Sequence, residues 1–232
     1  MTKQKSKFKI SATGMGRFSS CPRQYKLGKE MEPLQLPAHV QHGLRVHAAL
    51  SGQLPESEWT DKEASAYFTM KAVEETLEYV AEYREQKQYF PICEGIEGVR
   101  ILDFIGHQKD DPVVVDYKFP IYPWFSHGLI TPKARGWQAA MYLMMPYADQ
   151  FPAKTMVWPG RLDFLVYPTS IYIYYADPDK EREVIQMAQI IRAAEARGLF
   201  PRNEGIACKY CNFFDACNKT KGWEDKYRTR ED

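Results

Sequence analysis

The chain has 232 residues, 44% hydrophobic and 14% aromatic, which is enough apolar material for a buried core and too much for a disordered chain. A formal net charge of +1 excludes recognition of a polyanion by bulk charge, so any nucleic-acid site has to be a local patch. No apolar run approaches the roughly 20 residues that span a bilayer.

The opening MTKQKSKFKI has lysines but lacks the apolar core of a secretory signal, so a cytoplasmic protein without a membrane partner is expected. Lys3, Lys5, Lys7 and Lys9 could reach phosphate, but they read as a frayed basic tail. No repeat or linker divides the chain, so one domain over residues 1–232 is expected. Residues 11–26 read as a short helix interrupted at Cys21-Pro22. Residues 38–50 form a second helical stretch.

From Asp61 to about Gln88 the sequence lacks Gly and Pro and is rich in helix formers, which predicts one long helix. Phe68, Val73, Leu77 and Val80 would be its buried stripe. GVRILDFIGH and PVVVDYKF read as two strands of a hairpin joined by the polar turn QKDD. PKARGWQAAMYLMM is helical, with Pro132 suited to the first turn. TMVWPGRLDFLVYP and SIYIYYA supply further strands, a helix covers about 178–197, and a cysteine-rich segment closes the chain. This order implies an α/β fold with a mixed central sheet flanked by helices.

The strand VVVDYKF carries the chemistry. Alternation along it puts Asp116 and Lys118 on one face and Tyr117 on the other. A hairpin brings Asp103, at the end of RILD, close to Asp116. Two carboxylates beside one lysine repel unless a cation or proton neutralises them, and hard oxygen ligands suit Mg²⁺ or Mn²⁺. His47 stands four residues after Gly43, on the same helical face; the glycine admits a neighbouring backbone, and an imidazole can join the oxygen ligands. Gln138 and Tyr142, also four apart, present an amide and a phenol from one helix face.

The ordered set Gly43–His47, Asp103, Asp116–Lys118 and Gln138–Tyr142 resembles the RecB-like branch of the PD-(D/E)XK nucleases. One departure is that the glycine usual three residues before the first aspartate is here Arg100, with Gly98 nearest. Asp163, in Gly160-Arg161-Leu162-Asp163, fits that local pattern but follows the D-x-K motif and reads as a strand residue.

Near the end, Cys208, Cys211 and Cys217 are spaced C-x2-C-x5-C. Three thiolates need a fourth partner for a tetrahedral zinc site or a four-iron cluster. Cys21 is the natural fourth and Cys93 the alternative. A cysteine in a C-P-x-x-Y context (Cys21, Pro22, Tyr25) before the nuclease core, with C-x2-C-x5-C after it, resembles the iron–sulfur subgroup of that branch. That subgroup includes the AddB nuclease domain and the CRISPR-associated adaptation exonucleases.

The resemblance covers residues 17 to 217. It implies a nuclease core over 38–175, with segments 11–30 and 200–220 joined by a [4Fe–4S] cluster on Cys21, Cys208, Cys211 and Cys217; structural zinc stays open as the alternative. It further implies one or two Mg²⁺ or Mn²⁺ ions on His47, Asp103, Asp116 and the Tyr117 carbonyl, with Lys118 catalytic and Gln138 and Tyr142 positioning the substrate. The activity implied is a DNA exonuclease on single-stranded or frayed ends, serving recombination, replication or phage DNA processing. Partners would include recombination, replication or CRISPR-adaptation proteins. An endonuclease of the same fold, or a catalytically silent iron–sulfur scaffold that binds DNA, is the alternative. Arg23, Lys26, Lys133 and Arg135 are candidate phosphate contacts, and Trp124, Phe125 and Trp137 candidate base-stacking residues. No Walker-type phosphate loop is present, so no ATP-driven unwinding is implied.

Overall fold

The computed structural model describes residues 7–31, 38–119, 132–150, 158–168, 170–205, 208, 211 and 213–218; the side chains of 39, 132–135 and 218 lie outside the description. Strand β1 (Phe8–Ser11) leads into α1 (Ala12–Ser20), where the Ser11 hydroxyl accepts the Gly14 N–H at 3.1 Å. Pro22 then opens α2 (Pro22–Glu30), so the break at Cys21-Pro22 lies where the sequence puts it. Helix α3 (Ala38–Leu50) follows. Helix α4 (Asp61–Thr76) starts on a capping box between Thr60 and Glu63.

The long helix ends early. At Glu78, with φ 57°, the chain turns into β2 (Tyr79–Cys93). Good helix formers in this stretch lose to long-range pairing, because β2 runs antiparallel along the whole of β3 (Ile96–Gln108) and buries Tyr79, Gln88, Phe90 and Ile92 there. The expected stripe breaks with it. Val80 is exposed in β2, and Phe68 is exposed on α4, packed on Trp59 and Tyr67. The buried side of α4 is Ala66 and Met70, with Val73 and Leu77 partly covered. Of the basic tail, Lys9 lies in β1, opposite Glu97 of β3, whereas Lys3 and Lys5 lie outside the described residues.

Strand β3 organises the six-stranded mixed sheet. β2 occupies one edge. The other edge is shared, with β1 running parallel to Ile96–Val99 and β4 (Asp111–Lys118) antiparallel to Phe104–Gln108. Residues 100–103 of β3 therefore sit in a fork between β1 and β4. The expected hairpin turn is present, with Lys109 at φ 55°. β4 pairs in parallel with β5 (Arg161–Val166), which pairs antiparallel with β6 (Ser170–Tyr175). The β4–β5 crossover contains α5 (Pro132–Leu143), as parallel neighbours require. Helix α6 (Pro178–Arg197) begins at the Asp177 cap and ends at Gly198 in the left-handed region, φ 66°. A short α7 (Phe214–Asn218) follows the cysteine segment.

Helices α1, α5 and α6 cover one sheet face over Ile10, Phe90, Met141, Ala188 and Ile191. Helices α3 and α4 cover part of the other over Val46, Met70, Phe104, Val115 and Tyr117. No helix among the described residues is long and apolar enough to cross a membrane.

Candidate active site

Val113, Val114 and Val115 are wholly buried, so β4 is an interior strand that carries Asp116 and Lys118 at its C-terminal end. The two share a face as alternation requires: the Lys118 ammonium ion-pairs with Asp116 Oδ2 and lies 5.4 Å from the centre of the Phe164 ring. Tyr117 points to the opposite face. There its hydroxyl donates to Glu74 and accepts from Arg84 Nη1 at 2.9 Å, while Arg84 Nη2 donates to Glu74 Oε2 at 2.7 Å. That polar triad anchors the strand from below.

Beyond the Phe104–Val115 pair the β3–β4 ladder opens, and the Asp103 carboxylate replaces it, with Oδ2 accepting the Tyr117 N–H at 2.7 Å. Opposite this point, β2 has Glu85 at φ 49°, a left-handed residue inside a strand. The alternation shifts phase here, since Leu102 and Ile105, three residues apart, join the same core cluster. His47, from the last turn of α3, places Nδ1 3.4 Å from Asp103 Oδ1 and 3.6 Å from Glu85 Oε1. Ligand atoms of His47, Glu85 and Asp103 all lie within 4.8 Å of one another, the only such group among the described residues. Asp116 faces α5 and His47 comes from α3 across the sheet; the fork between β1 and β4 lets the two halves meet.

The electrostatics fit a cation. Burial would lower the His47 pKa, but the Asp103 charge and the contacts with Asp103 and Glu85 outweigh it and push it up to about 10. Burial pushes Asp116 up, Lys118 draws it back, and Asp103 raises it again. Asp116 is 3% exposed, with Oδ1 accepting from Gln138 at 3.4 Å and Oδ2 ion-paired with Lys118. Carboxylates crowded around one imidazole in a largely buried place are what a hard divalent ion could satisfy.

Other sequence-selected residues fall elsewhere. Tyr142 packs in the cluster around Leu143 and Phe164, within electrostatic reach of Arg100. A Cβ at Gly43 would meet nothing within 4 Å, so no described backbone makes the expected close approach. Asp163 is a buried strand residue, hydrogen-bonded to Tyr79 and 2.5 Å from Arg161. Lys26 pairs with Glu30 at 2.7 Å, and the Arg23 backbone N–H bonds the Pro201 carbonyl at 3.2 Å. The Trp137 indole donates to Glu183 at 3.4 Å. Trp124 and Phe125, and the side chains of Lys133 and Arg135, lie outside the described residues.

Arg100, standing where the resemblance leads one to expect glycine, is 3% exposed. Its Nη1 donates to the carbonyls of Met141, Tyr142 and Met144 at 2.5–2.9 Å, and Nε and Nη2 to Gln88 Oε1 at 3.1 and 2.9 Å. It thus caps the C-terminus of the helix that presents Gln138. Sequence reasoning missed Glu85 because it lay inside the expected helix. The signal that could have found it is the alternation of YREQKQYFPIC after the helix.

None of the five cysteines forms a disulfide. Burial raises the Cys211 thiol pKa, the Phe213 backbone N–H draws it back, and Cys21, Cys217 and Cys208 lie within electrostatic reach; Cys93 instead packs near α6. The four thiols do not close to the 4.8 Å spacing of the His47 group.

The imidazole of His47 and the carboxylates of Glu85 and Asp103, gathered at a sheet fork beside a lysine-paired aspartate, could hold a metal ion. The PD-(D/E)XK nuclease superfamily profile matches residues 9–218, and the chain belongs to that superfamily of metal-using phosphodiester hydrolases. Among curated protein sequences none matches the chain significantly. Of solved structures, a proposed exonuclease from Eubacterium rectale is similar at 13% identity and TM-score 0.54, covering 95% of this chain and 90% of its own. The protein SSO0001 is similar at 15% identity and TM-score 0.46, covering 94% of this chain and 88% of its own. At these identities the likeness is one of fold.

Proposed function

We propose that this chain is a metal-dependent DNA exonuclease acting on single-stranded or frayed ends, in recombination, replication or phage DNA processing. The observation that carries the reading is the meeting of His47, Glu85 and Asp103 within 4.8 Å beside the buried Asp116–Lys118 pair. His47, Asp103, Asp116 and the Tyr117 carbonyl, joined by Glu85, would hold one or two Mg²⁺ or Mn²⁺ ions. An ion held there would supply a water of lowered pKa and offset phosphate charge. Lys118 would orient the attacking water or face the charge that develops on the phosphate oxygens. Gln138 fixes the rotamer of Asp116, and Tyr142 lies one helical turn further along α5. The exonuclease part of the reading leans on the fold shared with the proposed exonuclease.

A [4Fe–4S] cluster on Cys21, Cys208, Cys211 and Cys217 belongs to the same reading. It is supported by the C-x2-C-x5-C spacing of Cys208, Cys211 and Cys217, with Cys21 ahead of the core, and by Cys21, Cys208 and Cys217 lying within electrostatic reach of Cys211. Its role would be to join chain start to chain end. Iron and sulfide assays on anaerobically purified protein test it; zinc in place of iron selects the alternative.

The decisive experiment incubates 5′- and 3′-labelled strands, single and duplex, with Mn²⁺ or Mg²⁺. Stepwise loss from an end, abolished by Asp116→Ala and Lys118→Ala, is expected. Internal cuts would select an endonuclease, and intact DNA with wild-type protein would leave only a DNA-binding scaffold.

A further inference from the structure

The sheet carries a feature outside the metal group. Cross-strand partners share a face. The pairs Lys9–Glu97, Tyr89–Val99 and Lys87–Ile101 therefore put Lys9, Tyr89, Lys87 and Ile101 on the side away from α1, α5 and α6. Helices α3 and α4 cover that side only beyond Phe104, and Ile101 is 49% exposed. On this open half the Tyr89 ring has Lys9 4.5 Å and Lys87 5.6 Å from its centre. Beside it, Lys7 lies 4.7 Å from the Tyr147 ring centre and donates to its hydroxyl at 2.9 Å. The Tyr147 N–H bonds the Tyr89 carbonyl at 3.3 Å, which joins the two tyrosines into one platform.

Among the described residues, Glu97 is the carboxylate paired with these ammonium groups, at 3.7 Å from Lys7 and 3.5 Å from Lys9. Cations held over aromatic faces keep their charge and lose side-chain freedom, so binding an anion costs them less entropy. Lys87 stands two residues from Glu85, about 7 Å along β2 at about 3.3 Å per residue, and Tyr89 about 13 Å away. The path therefore starts at the metal group. Past Lys9 it enters a cavity of about 240 Å³ lined by Lys9, Ser11, Arg17, Lys29 and Val99.

We propose that this face is a phosphate-binding track for a single DNA strand, with Lys87, Lys9 and Lys7 gripping successive phosphates of the strand whose end lies at His47, Glu85 and Asp103. The inference rests on the nuclease reading for its direction but not for its existence. Charge complementarity and continuity with the metal group choose the occupant.

The test is binding without cleavage. A fluorescent oligothymidylate of about 20 nucleotides is titrated in EDTA against wild type, Lys9→Glu/Lys87→Glu and an off-track control, Lys109→Glu. The double variant is expected to bind at least about 10-fold more weakly, and its log–log salt slope to fall by about 1.4, the release expected for two single-strand phosphate contacts. The control stays at the wild-type value. Unchanged affinity and slope in the double variant overturn the track, as does equal weakening by the control. Hydrolysis of bis-p-nitrophenyl phosphate by wild type with Mn²⁺ separates the two claims. Hydrolysis without oligonucleotide binding sinks the track alone, whereas lysine-dependent binding without hydrolysis sinks the nuclease reading alone.

Discussion

Glu85 and Asp103 face each other across an interrupted rung of the β2–β3 ladder. Arg84 pairs with Phe104 and Gln86 with Leu102, but between them Glu85 takes φ 49° and both carboxylates turn to His47. A left-handed backbone costs a residue with a Cβ about 1–2 kcal/mol, so the conformation persists only because its surroundings enforce it. Glu85→Ala is expected to weaken Mn²⁺ binding by about 10- to 100-fold, the scale for losing one partner of a metal site. Glu85→Gly should lose the same affinity yet melt above Glu85→Ala, because glycine accepts the positive φ. Calorimetric titration and thermal unfolding read both, and unchanged Mn²⁺ affinity removes Glu85 from the site.

On the proposed reading, His47 should set the pH dependence of metal loading. Without an ion its pKa is pushed up to about 10, so at neutral pH the imidazole carries a proton that a metal ligand must give up. Mn²⁺ binding should release about one proton, and affinity should rise about tenfold per pH unit between about pH 6 and 8. In the metal-free protein the raised value means His47 contributes stability fully below its usual 6.5, and that contribution fades as pH rises through about 10. His47→Gln should flatten both trends, and metal affinity that stays independent of pH in wild type removes the proposed role.

The strand DYK and its helix partner were legible because each depends on short-range periodicity. Alternation fixed Asp116 and Lys118 on one face, and helical spacing put Gln138 within 3.4 Å of Asp116. The extent of α4 was not legible. Residues 77–88 favour helix locally, and only pairing with β3, itself distant in sequence, turns them into β2. Glu85 was hidden by that error, and the roles of Lys9 and Lys87 followed it, since a face of the sheet exists only once β1, β2 and β3 are laid side by side. The fork that lets His47 meet Asp116 is likewise a property of strand order.

Arg100 links β3, the strand that carries Asp103, to α5. Buried, and with no carboxylate partner among the described residues, it spends its donors on Gln88 and three carbonyls at the helix end, and lies 4.6 Å from the rings of both Phe90 and Trp158. Arg100→Met leaves those acceptors unsatisfied and should cost about 3 kcal/mol or more. Arg100→Lys should recover only part of this, because one ammonium cannot span a planar fork. Denaturant unfolding checks the order wild type, Lys, Met; equal stability of Lys and wild type contradicts the fork geometry.

Glu63 holds the helix that carries His47. Its carboxylate takes Arg45 Nε of α3 at 2.5 Å and the Thr60 N–H at 2.8 Å, closing the capping box of α4. The bond from Arg45 holds the Glu63 pKa below its usual 4.5, assisted by Thr60 and opposed by burial. A lowered carboxylate contributes stability above its unfolded value and loses it as pH falls through the folded one, so this contribution should be full above about pH 4.5 and vanish in more acid solution. Glu63→Gln keeps a capping amide but loses the ion pair. It should therefore destabilise the protein at pH 7 and converge with wild type as the pH drops below 4. Because α3 is then held less firmly, Mn²⁺ affinity at pH 7 should fall together with stability. Thermal melts from pH 3 to 7 with a Mn²⁺ titration at pH 7 test this, and parallel melting curves that never converge would show that Glu63 acts by packing alone.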